Sequence, residues 1–273
     1  MVEESRGGFV YRGLGKVPDR ALLLFSALMY LFLYAPILVL VFFSFNSSRS
    51  TQVWTGFSTE WYGELLRDQT ILDAFRTSMV VGLTATAIAT VIGTLTALAL
   101  TRHSFRGKTI ADSAIYAATV MPEIVVGVSL LVFFVAATIN LGMTTIIIAH
   151  VAFTISFVTI VVRARLSGMD RSVEEAAQDL GANPVETFLR VTLPQILPGV
   201  MAGALLAFTL SFDDFVITFF VAGVGSSTLP LKIYSMVKFG PSPVINALST
   251  VVLVVTMVLI FGGSRIFMRK ENT

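Results

Sequence analysis

Residues 21–45 read ALLLFSALMYLFLYAPILVLVFFSF, twenty-five positions without a charged side chain. A bilayer core of about 30 Å is crossed by about 20 apolar residues at a helical rise of 1.5 Å each. Backbone polar groups have no water partner there, so a single run of this length crosses as a helix. Five further segments have the same character, at about 75–101, 113–136, 143–162, 199–222 and 245–267. The pattern predicts an all-α, polytopic membrane protein with six transmembrane helices, folded as a single transmembrane domain over 1–273. The fourth segment is expected to be the weakest span, because His150 and several Ser and Thr residues interrupt it. The composition agrees: 55% of residues are hydrophobic, only 13% are charged, and Phe occurs 22 times.

Lys and Arg set the orientation, because they concentrate on the cytoplasmic side of short loops. With the N-terminus inside, Arg6, Arg12, Lys16, Arg20, Arg102, Arg106, Lys108, Arg163, Arg165, Arg171, Arg190, Arg265, Arg269 and Lys270 are cytoplasmic. Only Arg49, Arg67, Arg76, Lys232 and Lys238 fall outside. Both termini are therefore expected in the cytoplasm. The first apolar run is too long for a cleavable signal and lacks a small-residue cleavage site. Trp54, Trp61 and Tyr62 in the first outer loop suit the membrane interface, and Thr59–Leu66 can form a short surface helix. The outer loop 223–244, with Gly223, Gly225, Pro230, Gly240, Pro241 and Pro243, is expected to be rich in turns.

The inner loop 163–198 has a more defined pattern. Ser172-Val173-Glu174-Glu175 reads as a capping box, followed by Val173, Ala176, Ala177 and Leu180 on one helical face. Gly181 occupies a position suited to a left-handed residue. Asn183-Pro184 then starts a second helix with Glu186 at its third position. Val185, Phe188 and Leu189 form the apolar face of that second helix, and Leu193-Pro194 is expected to stop it. Two short amphipathic helices joined at an elbow can either seat in a partner's groove or pack beneath their own bundle. The pattern alone leaves both open.

Glu175-Ala176-Ala177, then Gly181, then Val191-Thr192-Leu193-Pro194 resembles the EAA loop of ABC importer permeases. Val191 stands where that family has Ile. The resemblance implies a type I importer permease fold, and it implies that this loop couples to a cytoplasmic ATPase through Glu175, Ala176, Ala177, Gly181, Leu193 and Pro194. Ser44-Phe45-Asn46, Trp61-Tyr62, Phe105-Arg106-Gly107-Lys108 and Met121-Pro122-Glu123-Ile124-Val125 are similar to the C-type permease subunits of spermidine/putrescine importers. So are Ser211-Phe212-Asp213-Asp214 and the run from Leu229 to Lys238. Permeases for other small organic cations, amino-acid-like compounds and aminophosphonates share much of this pattern. The resemblance further implies a second permease chain of B type, two copies of the ATPase and an external substrate-binding protein. ATP and Mg would then be bound by the ATPase, leaving this chain without a cofactor.

Charged side chains in the membrane are costly, at about 2.5 kcal/mol or more near a helix centre, and they mark functional positions. Asp213 and Asp214 lie about 20 Å into the fifth segment, at 1.5 Å per residue. Glu123 follows Pro122 near the middle of the third, where the proline removes a donor and can kink the helix. These three can line a route for a cation, or they can serve as caps and interhelical bonds. Adjacent helical residues point about 100° apart, so Asp213 and Asp214 cannot both face one path squarely. That divergence also disfavours an aspartic acid–base pair, which shares its proton across two segments. His150 reads as a buried hydrogen-bonding residue, and His103 as solvated.

The chain has no cysteine, which excludes disulfides and thiolate chemistry. Gly13-Leu14-Gly15-Lys16-Val17 lacks the spacing and hydroxyl of a phosphate loop, and no HExxH zinc motif occurs. The reading is therefore a transport subunit rather than an enzyme, with no metal site, lipid around it and no nucleic-acid partner. A channel or ion-coupled carrier would leave the docking loop unexplained.

Overall fold

The computed structural model describes residues 19–49, 53–240 and 242–271. In chain order the helices are α1 (Asp19–Phe43), α2 (Glu60–Leu65), α3 (Gln69–Arg102), α4 (Lys108–Val120), α5 (Glu123–Ala136) and α6 (Met143–Ser167). They continue with α7 (Ser172–Asp179), α8 (Pro184–Thr187), a π segment (Phe188–Thr192), α9 (Leu193–Phe212), α10 (Val216–Val221), α11 (Leu229–Phe239) and α12 (Pro243–Glu271). Among the described residues the only strand-like pairing is an isolated bridge between Asn46 and Phe57. The stretches 20–43, 69–102, 143–167 and 184–212 are each long and apolar enough to cross a bilayer. The bent pair α4–α5 makes a fifth candidate, and α12 contributes the apolar stretch Pro243–Val258.

The chain divides into two compact units, residues 1–67 with 239–273, and residues 68–238. In the first, α12 packs on both α1 and α2. Asn46 organises the loop after α1: its side-chain amide donates to the Val53 carbonyl at 2.8 Å and its Oδ1 accepts from Thr55 N at 2.9 Å. The Trp61 indole is buried and donates to the Asn46 carbonyl at 2.5 Å, while Trp54 stacks on Phe42 with centroids 4.3 Å apart. The two tryptophans thus differ: Trp54 is half-exposed in an aromatic cluster, and Trp61 pins a turn. Helix α2 occupies the expected surface-helix stretch.

The second unit is built around α3, α6 and α9. Ala89, Ala97, Val158, Val162, Leu166, Ile196 and Ala207 form one buried cluster of these helices. Small residues allow the close approach that membrane helices favour. At Gly93 an added Cβ would stand 2.8 Å from the Val158 side chain and 3.1 Å from the Ile155 carbonyl oxygen. A second cluster joins α3, α5, α6 and α10 through Val81, Phe134, Ile146, Ala149, Phe153, Ile217 and Val221. Arg163 on α6 pairs with Asp112 on α4, tying the start of the bent pair to the centre.

Five details depart from the sequence reading. The fourth span, expected to be weakest, is the most enclosed: 56% of its apolar window is buried, because its polar residues are bonded inside the protein. Thr154 donates to the His150 carbonyl at 2.7 Å, and Thr159 to the Ile155 carbonyl at 2.8 Å. The third span is not one kinked helix but two, bent by 112° at Met121-Pro122. The fifth begins earlier and ends sooner. Leu193-Pro194 does not stop the preceding helix, because the chain widens there into a π turn, in which the Leu193 amide reaches back to the Phe188 carbonyl. That extra residue per turn accommodates the donor that Pro194 lacks. Loop 223–244, expected to be turn-rich, contains α11, with Pro230 at its second position, where no amide donor is needed.

Gly93→Leu should overpack the α3–α6 contact and destabilise the purified protein by about 1–3 kcal/mol. Gly63→Ala, inside α2 where an added Cβ meets nothing within 4 Å, should leave the melting temperature in detergent unchanged or slightly raised. Equal melting of the two variants would contradict this packing.

Candidate functional site

Two regions combine chemistry with position: the break between α9 and α10, and the loop built from α7 and α8. At the break, α9 ends at Phe212 and α10 resumes at Val216. Asp213 is exposed on the surface of the chain, whereas Asp214 is buried. Asp214 accepts the first-turn amides of α10, Ile217 N at 3.2 Å and Thr218 N at 2.8 Å, together with the Thr218 hydroxyl at 2.8 Å. His150 of α6 completes the set, its Nε2 lying 3.2 Å from Asp214 Oδ2 and 3.0 Å from Thr218 Oγ1. A carboxylate can only accept, so Nε2 carries a proton, and Nδ1 shares a hydrogen bond with the Ser211 hydroxyl at 2.7 Å. At the other end of α10, Thr145 donates to the Val221 carbonyl at 2.8 Å.

Glu123 is the first residue of α5, directly after the other break, and it is exposed. Helices α5 and α10 pack together, with Gly127 against Phe220 and Ile217. That contact brings Glu123 into electrostatic range of both Asp213 and Asp214. The three carboxylates named from sequence therefore converge at two helix breaks, with Glu123 and Asp213 outward and Asp214 inward. Phe215, Phe219 and Tyr234 cluster at the same break, with Phe215 and Tyr234 centroids 4.6 Å apart.

In the loop, α7 turns its apolar face outward. Val173 is 42% and Leu180 90% exposed, and Ala176 is exposed as well. Glu174 points the other way and is buried. The anticipated capping box is absent: Arg171 precedes the helix, and Asp170 Oδ1 instead accepts from Ser172 N at 2.9 Å. That bond holds the exposed Asp170 carboxyl below the usual carboxylate range. Glu175 lies on the surface, 3.6 Å from Arg171. Gly181 adopts φ +94°, a left-handed turn that L side chains rarely enter. The second helix starts as the sequence indicates, Asn183 Oδ1 accepting from Val185 N at 3.1 Å and Glu186 N at 2.9 Å while Glu186 returns a bond to Asn183 N at 3.2 Å. Leu193 is half-buried against the α3–α6–α9 cluster and Pro194 is exposed. A shallow groove runs between the two helices, lined by Ala177, Leu180, Gly181, Ala182, Glu186, Arg190 and Val191.

Residues 89–267 match the family described as binding-protein-dependent transport system inner membrane component. The chain belongs to that family. It is 48% identical over 229 residues to the putrescine transport system permease protein PotI of Escherichia coli K12, covering 81% of this chain and 82% of that protein. It is 42% identical over 248 residues to the spermidine/putrescine transport system permease protein PotC of the same strain, covering 91% and 94%. Its fold resembles a chain in the crystal structure of a bacterial ABC transporter involved in import of the acidic polysaccharide alginate. That match has a TM-score of 0.69 at 16% identity and covers 92% of this chain and 98% of the other. The protein is thus a transport permease component and not an enzyme.

Within this permease, three residues at the sites escaped the sequence reading in their actual roles. Glu174 lies one position before the EAA triplet and differs from Glu175 only by burial, which no local pattern reveals. Ser211 and Thr218 flank the aspartates at positions that bracket a carboxylate cap, a signal that becomes legible once α9 is known to break. His150 does occupy the buried, hydrogen-bonded position expected of it.

Asp214→Ala should leave the α10 amides and His150 without their acceptor and cost about 1–3 kcal/mol of stability. Asp213→Ala should cost nothing measurable. Thermal unfolding of the two purified variants checks the difference, and equal losses would contradict the assigned burial. Gly181→Val should strain the elbow by about 1–2 kcal/mol and weaken retention of an ATPase subunit in pull-downs from membranes.

Proposed function

We propose that the chain is one permease subunit of an ATP-driven importer that moves a polyamine, putrescine or spermidine, across the cytoplasmic membrane. The names of the two relatives support the substrate class. The observation that carries it chemically is the convergence of Glu123, Asp213 and Asp214 at two broken helices. A polyamine ammonium leaving water needs anionic or carbonyl partners, and non-helical backbone at membrane depth is stable where it lines a cavity. Glu123 and Asp213 are the side chains available to such a cation. Asp214, already fully bonded, holds the break in the geometry that presents them. The rings of Phe215, Phe219 and Tyr234 offer faces that attract ammonium groups.

In this reading the translocation path forms between this subunit and a second permease, a different chain of B type. An external binding protein delivers substrate, and two cytoplasmic ATPase subunits power alternating access. Neither ATP nor Mg binds to this chain. The outward apolar face of α7 seats in the ATPase, with Glu175, Ala176, Ala177 and Gly181 at the contact and Leu193-Pro194 leading into α9. The basic bias of the connections supports α7 and both termini lying in the cytoplasm of a bacterial cell. Docking is favoured over self-packing by the exposure of Val173 and Leu180, which a loop folded beneath its own bundle would bury.

Uptake of labelled putrescine and spermidine by the reconstituted complex, with and without ATP, tests the assignment. Asp213→Asn and Glu123→Gln should each raise the half-saturating concentration about tenfold, the scale of one charge-assisted contact. Unchanged uptake in both would remove these residues from the path. ATP-independent uptake would favour an ion-coupled carrier.

A further inference from the structure

Helix α7 has one buried side chain among its described residues, and that side chain is charged. Glu174 Oε1 accepts from the Thr192 hydroxyl at 2.7 Å, and Oε2 lies 3.0 Å from Arg102 Nε. The paired side chains of Arg102 and Glu174 are only 13% and 12% exposed. Arg102 is the last residue of α3, and Thr192 is the last residue of the π segment, directly before α9. A single carboxylate thus joins the loop helix to the ends of two spans that form the central cluster. Arg102 Nε and Nη2 are buried and make no hydrogen bond, and among the described residues Glu174 is the only carboxylate within ion-pair distance of Arg102.

We propose that Glu174 is a positioning residue that transmits displacement of α7 into α3 and α9, an inference that rests on the importer reading above. The apolar face of α7 points away from the bundle, so burial on that side does not hold the helix to the spans. The covalent route from α7 to α9 runs through the elbow at Gly181 and the π segment, both of which can absorb motion by changing local winding. Sliding α7 past the end of α3 would separate a buried ion pair and leave an uncompensated charge. The clamp therefore makes α7 and the ends of α3 and α9 move together, which the flexible covalent route does not. Glu175 has no such role: it is exposed and reaches only Arg171, four residues earlier.

The experiment measures substrate imported per ATP hydrolysed by the complete complex in proteoliposomes, with the ATPase subunits, the second permease and the binding protein present. Glu174→Gln keeps an acceptor for Thr192 and removes the charge. It should retain the ATPase subunits and continue to hydrolyse ATP, while transport per ATP falls at least about fivefold, the lower end of typical intersite coupling. Glu174→Arg and Arg102→Glu should each show the same loss, and combining them should restore the ratio. An unchanged ratio in Glu174→Gln overturns the proposal. So does loss of the ATPase subunits from that variant, or a double reversal no better than the single ones. A parent complex without ATP-dependent uptake would instead overturn the importer reading on which the proposal stands.

Discussion

Breaking a helix inside a bilayer strips amides and carbonyls of their partners where no water replaces them, and the architecture depends on how those groups are satisfied. At the α9–α10 break Asp214 takes the freed α10 amides, and His150 and Thr218 fix its carboxylate. Thr145 takes the carbonyl at the far end of α10. Once α10 is held in this way, it can offer Ile217 and Phe220 to Gly127 of α5, and the second break is secured against the first. A buried carboxylate that costs several kcal/mol in isolation is offset here by four donors and stabilises a local geometry that apolar packing alone would not specify.

The loop helix α7 inverts the usual arrangement, turning one of its charged residues, Glu174, inward and Val173 and Ala176 outward. A helix of eight residues has little stability of its own in water. It is held by the Glu174 contacts on one side and by the elbow and the Asn183–Glu186 box on the other. The result is an apolar surface held in a defined orientation, and in the proposed docking this limits the ordering entropy lost.

Much of this was legible in the chain. The apolar runs located the first, second and fourth spans to within a few residues, since length and hydropathy are sums over local sequence, but they missed the breaks in the third and fifth. The Asn183 box formed as read, because a cap is complete within four residues. The weakness inferred for α6 was mistaken for a related reason: His150 and the threonines lower its hydropathy wherever they point. Their partners lie elsewhere in the fold, Ser211 and Gly93 on other helices and Asp214 in the break after α9. The Ser172–Glu175 box failed because Asp170, two residues outside the pattern, reached the Ser172 amide first. Pro194 failed to stop its helix because a π turn, which propensity does not predict, accommodated it.

What residues 21–45 and the other apolar runs determined alone is that this chain lives in a membrane as a set of helices. The inner-loop spacing determined that one loop is built from two helices and an elbow. These are properties of period, length and capping, and each is settled within one segment. Which of two adjacent acids is buried was decided only in three dimensions, both for Asp213 and Asp214 and for Glu174 and Glu175. Neighbouring carboxylates are chemically identical, and they part only when a distant helix supplies a partner to one of them: His150 to Asp214, and Arg102 to Glu174.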